Sequence, residues 1–124
     1  MNAKRSLAQW FCLVGGGLLI LRATIGVAID PDFGAPGEGW HQLFHLVSGV
    51  ALLAASFQAG PALALTLAFA GTYGAITIAG LVDGQDVVGV LPVETSDNRL
   101  HTLFTLGSLA VGVASLTRSN RLAT

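Results

Sequence analysis

Three histidines are the residues of this chain best suited to bind a cofactor, and each lies where an apolar run begins. His41 and His45 precede one run in "GWHQLFHLVSGVALL", and His101 opens another in "SDNRLHTLFTLGSL". His45 and His101 stand at corresponding places in the two runs, so a helical bundle would bring them to the same level. Two facing imidazoles can be axial haem ligands, and two histidines four residues apart on a helix have a metal-chelating spacing.

A structural role for these histidines is the favoured interpretation. Each imidazole would hydrogen-bond a loop carbonyl or Asp97 and so hold an outer loop on the bundle, as polar residues between membrane helices commonly do. We expect no cofactor. We also assign no metal site, because a structural zinc site needs four ligands and Cys12, the single cysteine, lies within an apolar run. Haem, a chlorophyll-type pigment or a metal bound by His45 and His101 is the alternative.

Arg22 is the single charged residue of the first apolar run, and it lies about 10 Å below the outer end at 1.5 Å per residue. A charge at that depth usually faces protein or finds a partner, although a long side chain can also reach the interface. We expect Arg22 to be buried and paired with an acid of the second outer loop, in the order Asp97, Glu94, Asp83. The predicted structural polar cluster comprises Arg22, Glu94, Asp97, Asn98 and His101.

The start of the last helix carries a capping signal. Asp97, or Ser96 before it, is predicted to be the N-cap residue, since both side chains can accept a backbone N–H of the first turn. A negative charge at Asp97 also suits the positive end of the helix dipole.

Composition identifies the elements that must position these residues. The 124 residues are 52% hydrophobic and only 10% charged, against about 25% charged in a typical soluble domain. Four apolar runs, roughly 7–29, 42–57, 61–82 and 100–116, have lengths at or near those of spanning helices. Alternation with a period of two is absent, which favours helices over a barrel. The prediction is an all-α, four-transmembrane-helix bundle forming a single domain over residues 1–124.

An internal repeat predicts the symmetry of this bundle. "TIGVAID" (Thr24–Asp30) is similar to "TIAGLVD" (Thr77–Asp83), and each is followed by a loop that leads to a histidine-bearing helix. The chain therefore divides into two helical-hairpin repeats. Lys4 and Arg5 precede the first helix, and Arg118 and Arg121 follow the last one. Because cytoplasmic segments are enriched in Lys and Arg, we expect both termini in the cytoplasm.

The sequence resembles a family of small bacterial four-helix integral membrane proteins catalogued as a domain of unknown function. The resemblance rests on "LFHLVSGV" around His45 and on the element Asp97–Asn98–x–Leu100–His101 before the last helix, and it extends from the first helix to the fourth. Arg99 and His41 depart from the family pattern. The resemblance implies the fold and a membrane location, and it implies no activity.

No nucleophile with a base, no paired buried carboxylates and no phosphate loop occur, so we expect a protein that is not an enzyme and does not bind nucleic acid. Small residues are frequent in the runs and let helices approach closely. The favoured function is a structural or accessory subunit of a respiratory or photosynthetic complex. It would lie in the lipid bilayer of a bacterial cytoplasmic or intracytoplasmic membrane, beside other membrane subunits. The alternative is cofactor binding through His45 and His101.

Overall fold

The computed structural model describes residues 4–83 and 86–124. Their architecture is helical, with α1 (Leu7–Ile29), α2 (Glu38–Ala55), α3 (Ala59–Asp83) and α4 (Thr95–Leu122). Helices α1, α3 and α4 are long and apolar enough to cross a membrane. Helix α2 is less apolar because Glu38, His41, Gln42 and His45 occupy its first half. The all-α class is thus confirmed, and three of the described helices qualify as spans.

Helix α1 shows why such elements suit a bilayer. Ser6 caps it, and its hydroxyl accepts the Gln9 N–H at 3.2 Å while the Gln9 amide accepts the Ser6 N–H. Large apolar side chains remain exposed along one side of the helix: Trp10, Val14, Leu18, Leu21 and Ile25. A stripe of this kind suits contact with lipid, where exposed apolar surface costs nothing.

The helices pack as two hairpins, α1 with α2 and α3 with α4. Helix α1 also contacts α3 and α4, and α3 also contacts α2, while α2 and α4 face each other across the bundle without close backbone approach. The core combines small, leucine and aromatic side chains of α1, α2 and α3, among them Cys12, Leu52, Phe69 and Tyr73. The α2–α4 diagonal is therefore the wide one, and only long side chains can cross it.

Glycine permits the closest helix contact. A Cβ atom on Gly16 of α1 would lie 2.7 Å from the Gly49 carbonyl oxygen of α2, and one on Gly49 would lie 2.9 Å from the Gly16 oxygen. Four other helical glycines have open space where a Cβ atom would be, which means that they do not serve packing within the described chain: Gly17, Gly60, Gly71 and Gly107.

The loop after α3 contains a small hairpin that the sequence did not predict. Strands β1 (Asp86–Val87) and β2 (Leu91–Pro92) pair antiparallel, and two-residue strands are too short to show alternation. The turn places Val88 (φ 52°) and Gly89 (φ 70°) in the left-handed region. Val87 and Val93 are buried, so this loop folds onto the bundle.

Candidate functional site

Both histidine-bearing helices extend beyond their apolar runs into the polar segments that precede them. Helix α2 starts at Glu38, four residues before the run at residue 42, and α4 starts at Thr95, five residues before the run at residue 100. The polar segments before the apolar runs are therefore the first turns of helices. As a result His41 and His45 lie one turn apart on the same side of α2, and His101 lies in the second turn of α4.

The predicted cap of α4 is wrong in detail. Glu94, not Asp97 or Ser96, is the N-cap residue, and Asp97 is the third residue of the helix. The Asp97 carboxylate Oδ2 accepts the backbone N–H of Glu94 at 3.0 Å. This contact, one half of a capping box, stabilises a helix start whose cap lies three residues before the predicted cap at Asp97.

Three imidazoles meet at one end of the bundle. The Nε2 atoms of His45 and His101 are 3.5 Å apart. The His41 ring lies 4.5 Å from the His45 ring and 5.5 Å from the His101 ring, measured between centroids. One nitrogen from each ring falls within 4.8 Å of those of the other two. Each histidine is 1% exposed, so the group is enclosed by protein and spans the α2–α4 diagonal.

The ring nitrogens of this three-histidine cluster are poorly satisfied. Both nitrogens of His41, Nδ1 of His45 and Nδ1 of His101 have no hydrogen-bond partner among the described residues. A buried polar atom without a partner costs about 1–3 kcal/mol. The predicted tethers from the histidines to a loop carbonyl or to Asp97 are therefore not present. Several ring nitrogens are therefore left inside the protein with a lone pair or an N–H group that forms no hydrogen bond.

Glu38 is the nearest carboxylate to the cluster. Its Oε1 lies 3.5 Å from His41 Nδ1 and accepts the Gln42 side-chain amide at 2.6 Å. Glu38 is not among the predicted site residues, because it precedes the apolar run that begins at residue 42. Once α2 is known to begin at Glu38, the three-residue separation from His41 brings the two side chains to neighbouring positions.

Tyr73 of α3 closes the inner side of the cluster. Its ring packs edge-on against His101 at 5.4 Å and lies 6.4 Å from the His45 ring. Tyr73 is fully buried. No spacing pattern in the sequence connects Tyr73 with the histidines of α2 and α4, so only the structure reveals this contact.

Arg22 pairs with the acid that was expected first. Its guanidinium Nη2 lies 3.1 Å from Asp97 Oδ1, which joins α1 to the start of α4. The Arg22 side chain is 43% exposed and the Asp97 side chain 10% exposed. The expected burial of Arg22 is therefore only partial: its guanidinium reaches Asp97 while much of the side chain remains on the bundle surface.

The predicted polar cluster divides into separate parts. Arg22, Asp97 and Glu94 form one hydrogen-bonded group at the start of α4. The Asn98 amide instead donates to the Gly80 carbonyl oxygen of α3 at 3.4 Å. His101 belongs to the three-histidine cluster, which His41 also joins, so the histidine pair proposed from the sequence is part of a larger group.

The geometry fits a single metal ion better than a macrocycle. With metal–nitrogen bonds of about 2.0–2.1 Å and tetrahedral angles, two ligating nitrogens lie about 3.3–3.4 Å apart. The observed 3.5 Å between His45 and His101 Nε2 is close to that value. A haem or chlorophyll bound between these two imidazoles would have to separate them, and His41 packs against both rings.

The fold and the cluster together define a small helical bundle whose composition and apolar helices fit a membrane protein. The chain belongs to the family described as Domain of unknown function (DUF4383), whose model matches residues 33–114. The matched segment begins after α1, whereas the resemblance was expected to include the first helix. No curated protein and no solved structure matches the chain.

Proposed function

We propose that this protein is a membrane metal-binding protein whose ion is held by His41, His45 and His101. The observation that carries the proposal is the 3.5 Å separation of two imidazole nitrogens, with a nitrogen of a third imidazole within 4.8 Å. Imidazole is a common ligand of zinc, copper, nickel and iron. An ion at the centre would give each ring the partner that the described residues do not supply.

The charged neighbour of the cluster supports this proposal. Histidines that bind metals usually donate their second ring N–H to a carboxylate or a carbonyl, which fixes the tautomer and orients the ring. Glu38 Oε1, 3.5 Å from His41 Nδ1, is placed for that role. His41 would then bind the ion through Nε2.

The proposed ion has a clear structural consequence. It would connect α2 with α4 across the wide diagonal, where the two helices lack backbone contact. Because the complete ligand set exists only in the folded bundle, binding energy becomes folding energy. The site lies at the end of the bundle opposite the chain termini. Under this proposal that end faces the outer side of a bacterial membrane, and the basic residues near both termini support this orientation.

Metal analysis of the purified full-length protein tests the proposal. We expect one tightly bound transition-metal ion per chain after extraction in a mild detergent, and rebinding of one ion after chelation. His41→Ala, His45→Ala and His101→Ala should each abolish stoichiometric binding. Asn98→Ala is the control, because it removes a polar side chain near His101 without removing a candidate ligand. Wild-type protein that takes up no ion, or alanine variants that bind normally, would contradict the function.

A role as an accessory subunit of a larger respiratory or photosynthetic complex is the second candidate. It is supported by Gly71 of α3 and Gly107 of α4, where a Cβ atom would meet nothing within 4 Å. Small outward residues let a further helix approach closely. Co-purification with defined membrane subunits, lost in Gly71→Leu but kept in Leu81→Ala, would support this role. Isolation of the chain alone under conditions that preserve neighbouring complexes would count against it. We assign no catalytic activity in either case.

A further inference from the structure

We propose that the ion held by the three-histidine cluster is monovalent copper, bound by three nitrogens with no fourth ligand. This inference rests on the proposed function, since it names the ion for the same site. Three features of the described residues lead to it: the donor set, the enclosure of the rings and the charge around them.

The donor set contains imidazoles alone. Cys12, the only thiol, lies in the core beside Ala62 and Thr66, where its sulfur contacts their oxygens at 3.5 Å. Glu38 faces Nδ1 of His41 and is not among the residues whose donor atoms converge within 4.8 Å. Among the described His, Cys, Asp and Glu side chains, those whose donor atoms converge are therefore His41, His45 and His101, which offer three nitrogen ligands.

The rings are enclosed by protein and separated from bulk solvent. Each of the three histidines is 1% exposed, and Tyr73 packs against the cluster from the inner side. Zinc takes four ligands in proteins, with water filling the fourth position where only three side chains are present. Cu(I) has a filled d shell and is stable with two or three ligands. A dry trigonal set of imidazoles therefore suits Cu(I) better than a tetrahedral divalent ion.

Charge favours a monovalent ion as well. The cost of burying an ion in a medium of low polarity rises with the square of its charge, so a divalent ion costs about four times as much as a monovalent one. Arg22 and Asp97 neutralise each other at 3.1 Å, which leaves Glu38 as the one uncompensated charge in contact with the cluster among the described residues. Glu38 and Cu(I) sum to zero, whereas a divalent ion would leave a net positive charge.

Competition with chromogenic chelators tests the choice of ion. The full-length protein in detergent is titrated with Cu(I) under anaerobic, reducing conditions and, separately, with Zn(II). We expect one Cu(I) per chain with at least 100-fold tighter binding than Zn(II). X-ray absorption of the copper-loaded protein should show three nitrogen neighbours at about 2.0 Å. Tighter binding of Zn(II), or a fourth oxygen or nitrogen neighbour, would overturn this inference and leave the metal-binding function standing.

Glu38→Gln isolates the contribution of charge. Loss of a carboxylate that orients a ligating histidine typically weakens metal binding 10–100-fold, and we expect that loss for Cu(I) with three nitrogen neighbours retained. Asp30→Asn removes an acid from the same outer end away from the cluster and should leave the affinity unchanged. Equal Cu(I) affinity in Glu38→Gln and wild type would refute the charge argument. If the wild-type protein binds neither of these ions and also takes up no nickel or iron, the proposed function itself fails.

Discussion

The contact between Arg22 and Asp97 can be measured as a coupling free energy. It is a single hydrogen-bonded ion pair at 3.1 Å, with Arg22 43% exposed and Asp97 10% exposed. An exposed pair contributes about 0.2–1 kcal/mol, while removal of one member of a fully buried pair costs about 3–5 kcal/mol. Partial exposure places this pair near the upper end of the exposed range, so we expect a coupling of about 1 kcal/mol.

A double-mutant cycle isolates this value from the other role of Asp97. Asp97→Ala alone also removes the acceptor of the Glu94 N–H, and a lost helix cap costs about 1 kcal/mol. Because that loss occurs with either residue at position 22, it cancels in the cycle built from Arg22→Leu, Asp97→Ala and the double variant. The free energy of unfolding is measured by reversible denaturation in detergent micelles.

The cycle has a matched control and two refuting outcomes. Arg99 lies on the same helix as Asp97, is exposed and forms no ion pair among the described residues, so Arg99→Leu with Asp97→Ala should show no coupling. A coupling of zero between Arg22 and Asp97 would mean that the pair does not form. A value above about 3 kcal/mol would mean that Arg22 is buried in protein and that the partial exposure is wrong.

Three further predictions concern the turn, the helix crossing and the cluster. Val88→Asn should stabilise the protein by about 0.5–1 kcal/mol in thermal unfolding, because Asn–Gly suits a turn with two positive φ angles and a β-branched residue does not. An unchanged free energy of unfolding would mean that the turn has a different conformation. Gly49→Ala should destabilise it by about 1–3 kcal/mol, since its Cβ would lie 2.9 Å from the Gly16 oxygen. Gly17→Ala, in open space, should be neutral or stabilising, and equal effects would contradict the crossing. Metal at 100 times its Kd should stabilise the wild-type protein by about 2.7 kcal/mol and should leave the unfolding temperature of His45→Ala unchanged. An equal rise of the unfolding temperature in both proteins would show that the ion binds elsewhere.

The sequence predicts the apolar centre of each helix better than its polar start. Helix α1 was predicted from residue 7 to 29 and has those bounds, because Ser6 and the loop at Asp30 mark clear changes in composition. Helices α2 and α4 begin four and five residues before the apolar runs at residues 42 and 100. Their first turns are polar, so hydropathy assigns them to loops, and only the separation of Glu94 and Asp97 signals the true start of α4.

The candidate site was predictable only where the relation between residues is local or repeated. His45 and His101 were paired because they occupy corresponding places in two similar segments, and they lie 3.5 Å apart. His41 precedes His45 by four residues, a helical spacing, but its approach to His101 depends on the width of the α2–α4 diagonal. That width depends on how small residues let α1 and α3 approach each other, which a linear pattern does not encode.

The location of α2 decides how the cluster lies in the membrane. Its 18 residues measure about 27 Å at 1.5 Å per residue, close to the hydrocarbon thickness of about 30 Å. If α2 spans, the histidines lie near the outer headgroups, and the turn that follows α2 lies in the cytoplasm. If α2 lies along the surface instead, the two termini of the protein face opposite sides, and the basic residues at both ends no longer agree on one orientation.

Accessibility of single cysteines distinguishes these two arrangements. In a Cys12→Ala background, Asp32→Cys in the first outer loop should react with a membrane-impermeant thiol reagent in intact cells. Gln58→Cys, in the turn between α2 and α3, should react only after the membrane is permeabilised, because a spanning α2 carries the chain across. The termini provide the control, since a cysteine at Asn120 should behave like Gln58→Cys. Labelling of Gln58→Cys from outside would show that α2 does not span, and the four-span bundle would have to be replaced by three spans with α2 on the outer surface.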